Sequence, residues 1–235
     1  MGPVVVEFPL RGEWWTPNTP GTRVPSHGTD VLGQRYAYDF VRTGPGPRGT
    51  RISPRSSIRY LLQGARLRDC FGWGAPVFAA TSGVVVQAAD GWPERDPVHP
   101  LRDLAVALRN GLTFDVGRMT DLRPLTGNHV IVESGHGFVV YAHAATGSVQ
   151  VVAGDRVEAG QVIAAVGHSG NSTAPHLHFQ LMDGRDPRTA RGILCCFREY
   201  EVLDGGAWRT VRDGIPARTD HLRRLPDEPG WSARV

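Results

Sequence analysis

Two histidines separated by a single residue form the strongest chemical signal in the sequence. His176 and His178 stand in the run Pro-His-Leu-His-Phe, which begins at Pro175 and has the alternating pattern of a half-buried strand. Alternate side chains of a strand point to the same face, so the two imidazoles are predicted to share one face while Leu177 and Phe179 enter the core. Such a pair can offer one metal ligand and one group that transfers protons.

An acidic residue and a further histidine could complete a metal site. Asp39 lies inside the strand-like run Tyr-Ala-Tyr-Asp-Phe, where a carboxylate is costly to bury unless it is paired or binds a metal. His27 lies upstream in a loop. One carboxylate and two imidazoles are a common ligand set for catalytic zinc, with the fourth position left to water. Asp30, only three residues after His27, is an alternative carboxylate ligand.

Six of the nine histidines fall between His129 and His178. His143 ends a strand with the sequence Tyr-Ala-His, and alternation predicts that Tyr141 and His143 share a face. His168 lies in a loop rich in Gly and Ser, where it could line a substrate groove, although we favour a solvent-exposed position. His129 and His136 are interpreted as strand-face and turn residues without a catalytic role.

Short runs rich in β-branched and aromatic residues predict a mainly β protein. The predicted strands cover 4–8, 36–41, 76–80, 83–88, 129–133, 138–143, 161–166 and 176–182. A hairpin turn is predicted at 133–138, between two apolar strands. The sequence therefore favours an antiparallel β-sheet or sandwich with one inserted helix.

The inserted helix is predicted inside the segment 90–125. Asp96 would cap it, Pro97 would take its first position, and Asn110-Gly111 would end it. Four apolar residues share one face of this helix: Leu101, Leu104, Ala105 and Leu108. We expect that face to pack against the sheet; the alternative is that the helix forms a wall beside a groove. We predict a single domain over 1–210, followed by a peripheral tail over 211–235 with a short helical turn near 220–225.

Composition excludes several classes of function. A net charge of +3 and scattered arginines do not form the basic face of a nucleic-acid-binding protein, and the densest basic stretch, 48–59, is interpreted as a solvated loop. No apolar run approaches the ~20 residues of a membrane span, and no secretory signal is visible. The chain as it stands is therefore expected to be cytoplasmic, or extracytoplasmic if a leader has been removed. The adjacent Cys195 and Cys196 are not expected to pair with each other.

Several motifs in one order resemble the lysostaphin/LytM family of zinc metalloendopeptidases. They are Phe71-Gly-Trp-Gly-Ala-Pro-Val-Phe-Ala-Ala-Thr-Ser-Gly-Val-Val, Gly127-Asn-His-Val-Ile-Val-Glu, Tyr141-Ala-His, Val152-Ala-Gly-Asp-Arg-Val-Glu-Ala-Gly-Gln-Val-Ile and Gly167-His-Ser-Gly-Asn-Ser-Thr-Ala-Pro-His-Leu-His-Phe. The run Gln34-Arg-Tyr-Ala-Tyr-Asp-Phe resembles a branch of the family with longer spacing between its first two ligands. The resemblance covers 27–43 and 71–183, without the insertion.

The resemblance implies a role for each matching residue. His27, Asp39 and His178 would hold Zn²⁺, His176 would position or deprotonate the zinc-bound water, and His143 would be its partner. It also implies an antiparallel sheet crossed by a narrow groove, and small peptide substrates such as the stem or cross-link peptides of peptidoglycan.

This sequence departs from the family pattern at several positions. Twelve positions separate His27 from Asp39, and Gln180 stands where the family commonly has Glu. We prefer Asp39 to Asp30 as the ligand because Asp39 lies in a strand-like run. Tyr141 and His168 are candidate groove residues.

Two further functions remain open from the sequence. One is an intracellular peptide-processing metallopeptidase, and the other is a catalytically inactive binding or activator module of the same fold. A lipoyl or biotin carrier is excluded because that function requires a lysine and the chain has none. No oligomeric state is specified by the sequence.

Overall fold

The computed structural model describes residues 2–44 and 51–225, and it contains mainly strands. The strands are β1 (Val4–Val6), β2 (Gly12–Asn18), β3 (Tyr38–Val41), β4 (Pro76–Phe78), β5 (Gly83–Ala89), β6 (Asn128–Ser134), β7 (Gly137–Ala144), β8 (Arg156–Val157), β9 (Val162–Ala165), β10 (His176–Met182), β11 (Gly192–Ile193), β12 (Cys195–Asp204), β13 (Ala207–Gly214) and β14 (His221–Arg224). The helices are α1 (Ser57–Gln63), α2 (Pro100–Thr113) and α3 (Arg123–Thr126), with short 3-10 turns at Val31–Tyr36, Leu67–Asp69 and Val116–Arg118.

Most of these strands form one large sheet. Its order is β1-β12-β14-β2-β3-β10-β7-β6-β5-β8, with β11 beside β10 and β13 beside β12, while β4 and β9 form a separate pair. All the pairings are antiparallel except that of β1 with β12. The predicted fold class, a mainly β protein built on an antiparallel sheet with an inserted helix, is confirmed.

The central strands separate an apolar core from a polar face. On β10, Leu177, Phe179 and Leu181 are at most 2% exposed and belong to the main apolar cluster. Tyr38 of the neighbouring strand β3 and Phe197 of the more distant strand β12 pack against Phe179, with ring centroids 6.3 and 5.7 Å away. The intervening His176 and His178 point to the other face, as period-2 alternation predicts.

Each of the eight predicted strands overlaps a strand of the structure, but several strands were not predicted. They include β2 and the hairpin of β12 with β13. The cysteines Cys70, Cys195 and Cys196 are buried and free, in agreement with the expectation that Cys195 and Cys196 do not pair. Of the basic stretch 48–59, residues 48–50 lie outside the described residues, and the predicted loop is in part helix α1.

The structure corrects both the bounds and the orientation of helix α2. The helix begins at Pro100 with His99 as its N-cap and ends at Thr113. Asp96 does not cap it, because its Oδ1 accepts from the backbone N–H of Leu67 at 3.0 Å. Nor can the helix start at Pro97, since Val98 forms an extended bridge with Ala65.

The apolar face of α2 is turned to solvent rather than to the sheet. Leu101, Leu104 and Leu108 are 50–59% exposed, whereas Asp103 and Asn110 are buried. The two polar residues have partners inside the protein, which offsets the cost of burying them. Helical periodicity therefore showed which residues share a face but not which face is covered. No helix in the described part of the chain is long and apolar enough to cross a membrane.

Substitutions on this exposed face are expected to be nearly neutral. Leu108→Gln and Leu112→Gln should each change the free energy of unfolding by less than about 0.5 kcal/mol, because both side chains lie mostly in water. Leu177→Ala in the core should cost about 2–5 kcal/mol. Denaturant unfolding of the three variants tests this, and a core-sized cost at Leu108 would show that the face is covered in solution.

The predicted tail also differs from the structure. Residues 211–214 belong to β13, and His221–Arg224 form strand β14 between β12 and β2, not a helical turn. Leu222 is fully buried, and Arg223 and Arg224 pair with Glu201 and Glu199 at 2.6 and 3.0 Å. The hydrophobic pattern is weak here because backbone pairing and ion pairs hold the strand. Residues 226–235 of the predicted tail lie outside the described residues.

Candidate metal centre and groove

Three segments of the chain bring together the predicted metal ligands. The possible ligand atoms of His27, Asp39 and His178 all lie within 4.8 Å of one another. Asp39 on β3 stands opposite His178 on β10 in the antiparallel pairing, which places their side chains next to each other. The loop that carries His27 is tied down by its neighbour Ser26, whose backbone N–H donates to Arg35 O at 3.0 Å.

Asp39 is the centre of this cluster. Its Oδ2 lies 2.9 Å from His27 Nε2 and accepts from Asn18 Nδ2 at 2.7 Å, and its Oδ1 lies 3.0 Å from His178 Nδ1. Burial raises the pKa of Asp39, but the neighbouring His27 and His176 outweigh it and hold the pKa well below its ordinary value. The carboxylate is therefore ionised at neutral pH and available to a cation.

Gln180 determines which nitrogen of His178 faces the cluster. The Gln180 amide donates through Nε2 to Leu32 O at 2.7 Å, so its Oε1 is the atom that lies 2.9 Å from His178 Nε2. A carbonyl oxygen only accepts, so Nε2 of His178 carries a proton and neutral His178 presents a lone pair at Nδ1. That lone pair is aimed at the Asp39 carboxylate, an arrangement that a shared cation would satisfy.

Asp30, the alternative carboxylate, lies away from the cluster. Its side chain is 60% exposed and forms an ion pair with Arg35 at 2.9 Å. Asp30 belongs to the loop before the 3-10 turn Val31–Tyr36. Its carboxylate is not part of the cluster formed by His27, Asp39 and His178.

The two candidate catalytic histidines lie beside the cluster. The ring centroids of His143 and His176 are 4.7 Å apart, and His176 Nε2 lies 3.5 Å from Asp39 Oδ1. Each ring is oriented by a carbonyl that accepts from Nδ1, Ser169 O at 2.9 Å for His143 and Ala174 O at 2.7 Å for His176. Both rings therefore carry a proton on Nδ1, which leaves Nε2 as the basic nitrogen when the ring is neutral.

The surroundings move the pKa values of these two histidines in opposite directions. Burial, reinforced by His176 and His178, lowers the pKa of His143 well below its ordinary value. Burial also lowers the pKa of His176, but the Asp39 carboxylate outweighs it, and the net shift is upward. Burial thus favours the neutral form of His143, and the Asp39 carboxylate favours the protonated form of His176.

The prediction that Tyr141 and His143 share a face is wrong. Tyr141 is 1% exposed in the main core, and its hydroxyl accepts from Ala80 N at 2.6 Å, so Tyr141 does not line the groove. The pairing of β6 with β7 shifts register between Asn128 and Val130. His143 has a φ of +63° next to that irregularity, and this local distortion turns its ring to the face opposite Tyr141.

His168 is buried rather than exposed, contrary to the sequence interpretation. Its side chain has no exposed surface, with Nε2 3.1 Å from Asp103 Oδ2 and Nδ1 3.0 Å from Ser172 Oγ. It does not line the groove. His129 is a buried strand residue held by Gly127 O at 2.8 Å, and His136 lies in an exposed turn.

A groove of about 860 Å³ runs past the histidines. Its lining includes Val140, Ala142 and Gln180 of the central strands and residues of the loop and 3-10 turn at 29–34. The C-terminal end of α2 and the segment 114–117 also line it. The inserted segment thus contributes to the groove, which is the alternative that the sequence analysis disfavoured.

Sequence reasoning missed three polar residues that support the site: Asn18, Asp103 and Ser172. A signal was available for Asp103, because it is a carboxylate between two leucines of a predicted apolar helix, as Asp39 is a carboxylate inside an apolar strand. No comparable signal marks Asn18, whose partner Asp39 is 21 positions away, or Ser172, whose side-chain partners His168 and His176 each lie four positions away.

Comparisons with known proteins agree with the motifs. Residues 103–189 match the model of peptidase family M23. A stretch of 42 residues is 57% identical to the glycyl-glycine endopeptidase ALE-1 of Staphylococcus capitis, but it covers only 18% of this chain and 11% of that protein.

Two catalytic domains of known structure are also similar. That of lysostaphin from Staphylococcus simulans is 22% identical with a TM-score of 0.37, and that of the prophage-encoded M23 protein EnpA from Enterococcus faecalis is 18% identical with a TM-score of 0.40. Each comparison covers 77% of this chain and 88% of the other. Over residues 103–189 the chain is thus similar to peptidase family M23, in agreement with its motifs.

Proposed function

We propose that this protein is a zinc-dependent endopeptidase that hydrolyses short peptides of small residues, of the kind found in the stems and cross-links of peptidoglycan. His27, Asp39 and His178 hold the metal, and His143 and His176 are the catalytic residues. The observation that carries the proposal is the convergence of the three ligand atoms within 4.8 Å, beside two histidines and at the side of a groove. The peptidase domain extends in this proposal to Arg224, because β14 belongs to the same sheet.

The donor set suits zinc. Two imidazole nitrogens and one carboxylate oxygen match a catalytic zinc site with one position left open. The carboxylate is ionised, and the Gln180 bond leaves Nδ1 of His178 free as a ligand atom. Such outer hydrogen bonds are a regular feature of metal-binding histidines.

The catalytic residues supply proton transfer on the groove side of the cluster. Zinc, when bound, lowers the pKa of a coordinated water from 15.7 to about 7 and polarises a carbonyl oxygen. A cation held by Asp39 would offset the negative charge that raises the pKa of His176. The neutral ring would then present Nε2, 3.5 Å from Asp39 Oδ1, to take a proton from the attacking water. His143, 4.7 Å from His176 between ring centroids, is placed, once protonated at Nε2, to stabilise negative charge on the carbonyl oxygen or to pass that proton to the leaving amine.

The resemblance to the lysostaphin/LytM family implies substrates with small side chains, Gly or Ala, next to the cleaved bond. Ala142 belongs to the lining of the groove beside the candidate metal centre. The staphylococcal relative is named for cleavage of glycyl-glycine bonds, which supports the same substrate class. The match spans a tenth of that relative, so the proposed substrate class rests mainly on the resemblance of the motifs.

Digestion of purified peptidoglycan, followed by mass analysis of the released fragments, tests the proposal. We expect new peptide termini at bonds between small residues, loss of activity with a chelator and its return with added zinc. An oligoglycine and a matched oligoleucine peptide provide the comparison for side-chain size. A zinc-loaded protein that leaves every substrate intact would instead support the inactive binding module.

Removing the Gln180 acceptor is expected to weaken metal binding. Gln180→Leu deletes the oxygen that holds the His178 Nε2 proton, and zinc affinity should fall by about 10–100-fold. Gln180→Glu keeps an acceptor at this position and serves as the control. Competition with a chromogenic chelator measures both dissociation constants, and an unchanged affinity of Gln180→Leu would contradict this role.

A further inference from the structure

A buried chain of polar side chains connects helix α2 to His176. Asp103 Oδ2 lies 3.1 Å from His168 Nε2, and His168 Nδ1 lies 3.0 Å from Ser172 Oγ. The same Ser172 Oγ lies 3.1 Å from His176 Nδ1. The side chains of Asp103 and His168 have no exposed surface, and Ser172 is also fully buried.

Asp103 is a buried carboxylate surrounded by donors. Its Oδ1 accepts from Arg95 Nε at 2.9 Å and from Arg102 Nε at 3.0 Å, and its Oδ2 accepts from the backbone N–H of His99 at 2.8 Å. Burial raises its pKa, but the bonds from His168, His99 and Arg95 together hold it well below its ordinary value. An ionised carboxylate in this position is costly unless each oxygen is satisfied, and here both are.

The direction of each hydrogen bond follows from the chemistry of the groups. Asp103 only accepts, so His168 Nε2 carries a proton, and burial lowers the pKa of His168 so that the ring is neutral. Its Nδ1 is then an acceptor 3.0 Å from the Ser172 hydroxyl, whose single proton is shared between this nitrogen and Ala174 O at 2.6 Å. Ser172 Oγ and Ala174 O together receive the Nδ1 proton of His176.

The loop that contains Ser172 is fastened to the same carboxylate. Arg95, which binds Asp103, also donates from Nη1 to Gly170 O at 2.7 Å and from Nη2 to Ser172 O. Asp103 is thus connected to Ser172 through both a side-chain path by way of His168 and a backbone path by way of Arg95. This explains why α2 turns its polar face inward although the leucines on its other face remain in water.

We propose that Asp103 is a positioning residue that acts through His168 and Ser172 to hold the His176 ring with Nε2 toward the candidate metal centre. The inserted helix is on this view a support for the active site rather than a surface addition. This inference rests on the proposed function, because the proposed function is what assigns His176 a catalytic role.

Steady-state kinetics of Asp103→Asn and Ser172→Ala test the inference. Each variant should lower kcat by about tenfold or more, within the range of about 10–100-fold seen when an outer partner of a site histidine is lost, with KM and zinc content nearly unchanged. Asp121→Asn is the matched control, since Asp121 is an exposed carboxylate that pairs with Arg123 at 2.9 Å. Ser172→Ala leaves the arginine bonds of Asp103 in place, so it reports on the chain even if Asp103→Asn fails to fold.

A double-substitution cycle separates positioning from general loss of structure. If Asp103 acts through His176, then Asp103→Asn should have no further effect on kcat in a His176→Ala background. An equal loss in both backgrounds would overturn the inference. Normal kcat in both Asp103→Asn and Ser172→Ala would also overturn it, while an inactive wild-type protein would instead refute the proposed function.

Nitrogen-15 NMR of the histidine rings gives a readout that does not need activity. In the full-length protein, Asp103→Asn should shift the ring signals of both His168 and His176, whereas Asp121→Asn should shift neither. A change confined to His168 would mean that the chain stops there and that His176 is positioned by Ala174 O alone.

Discussion

Asp39→Ala is expected to abolish both metal binding and hydrolysis. The substitution leaves two imidazoles without the carboxylate that contacts both, at 2.9 and 3.0 Å. A three-ligand site cannot be completed from the remaining pair. We therefore expect less than about a tenth of the wild-type zinc content after dialysis, and activity below detection, when the purified variant is compared with the wild-type protein.

The same variant should lose the stabilisation that zinc provides. A ligand that binds only the folded state at a hundred times its dissociation constant adds about 2.7 kcal/mol to the free energy of unfolding. Added zinc should accordingly raise the Tm of the wild-type protein and leave that of Asp39→Ala unchanged. Thermal denaturation with and without zinc measures this difference.

Asp30→Ala is the matched control for this experiment. Asp30 pairs with Arg35 at the surface, so its removal should leave zinc content and the Tm response close to those of the wild-type protein. If Asp30→Ala emptied the site and Asp39→Ala did not, the ligand assignment would be reversed.

Period-2 alternation was sufficient to predict the strand that carries the site. His176, His178 and Gln180 share one face of β10 because each lies two residues from the next, and the intervening apolar residues fill the core. The pairing of Asp39 with His178 was not predictable from alternation, since register depends on contacts between segments far apart in sequence.

Alternation failed where the strand is irregular. His143 would share a face with Tyr141 in a regular strand, but its φ of +63° reverses the direction of its side chain. A left-handed residue at the end of a strand has no reliable signature in a single sequence, although His is among the residues that tolerate this conformation.

Helix α2 illustrates a different limit. Its leucines recur at helical spacing, and the usual expectation is that such a stripe is buried. Here Asp103 and Asn110 are buried instead, because Arg95, His168 and Asn171 offer them partners. The partner residues are eight to 65 positions away in the chain, so local pattern could not identify the buried face.

Replacing either catalytic histidine is expected to remove activity without removing the metal. His143→Ala and His176→Ala should each lower kcat by about a hundredfold or more, as expected for loss of a proton-transfer or oxyanion group. Zinc content should remain near one ion per chain, because neither residue is one of the three proposed ligands, His27, Asp39 and His178. His178→Ala is the control, since it should lose zinc and activity together.

The backbone at His143 requires a second variant. Alanine at a φ of +63° is strained by about 1–2 kcal/mol, so part of the effect of His143→Ala could come from a shifted backbone. Asn adopts this conformation more readily and cannot transfer a proton as His does. Equal losses of kcat in His143→Asn and His143→Ala would assign the effect to the imidazole itself.

The pattern of losses distinguishes the catalytic role from a ligand role. Because the proposed interactions strengthen in the transition state, the loss should appear mainly in kcat, with KM little changed. If two residues act on the same proton transfer, the double variant should lose little more than either single variant. Near-normal turnover of both single variants would refute the mechanism. Loss of zinc from His176→Ala would instead identify His176 as a metal ligand. This test matters more for His176 than for His143, because His176 Nε2 lies 3.5 Å from Asp39 Oδ1.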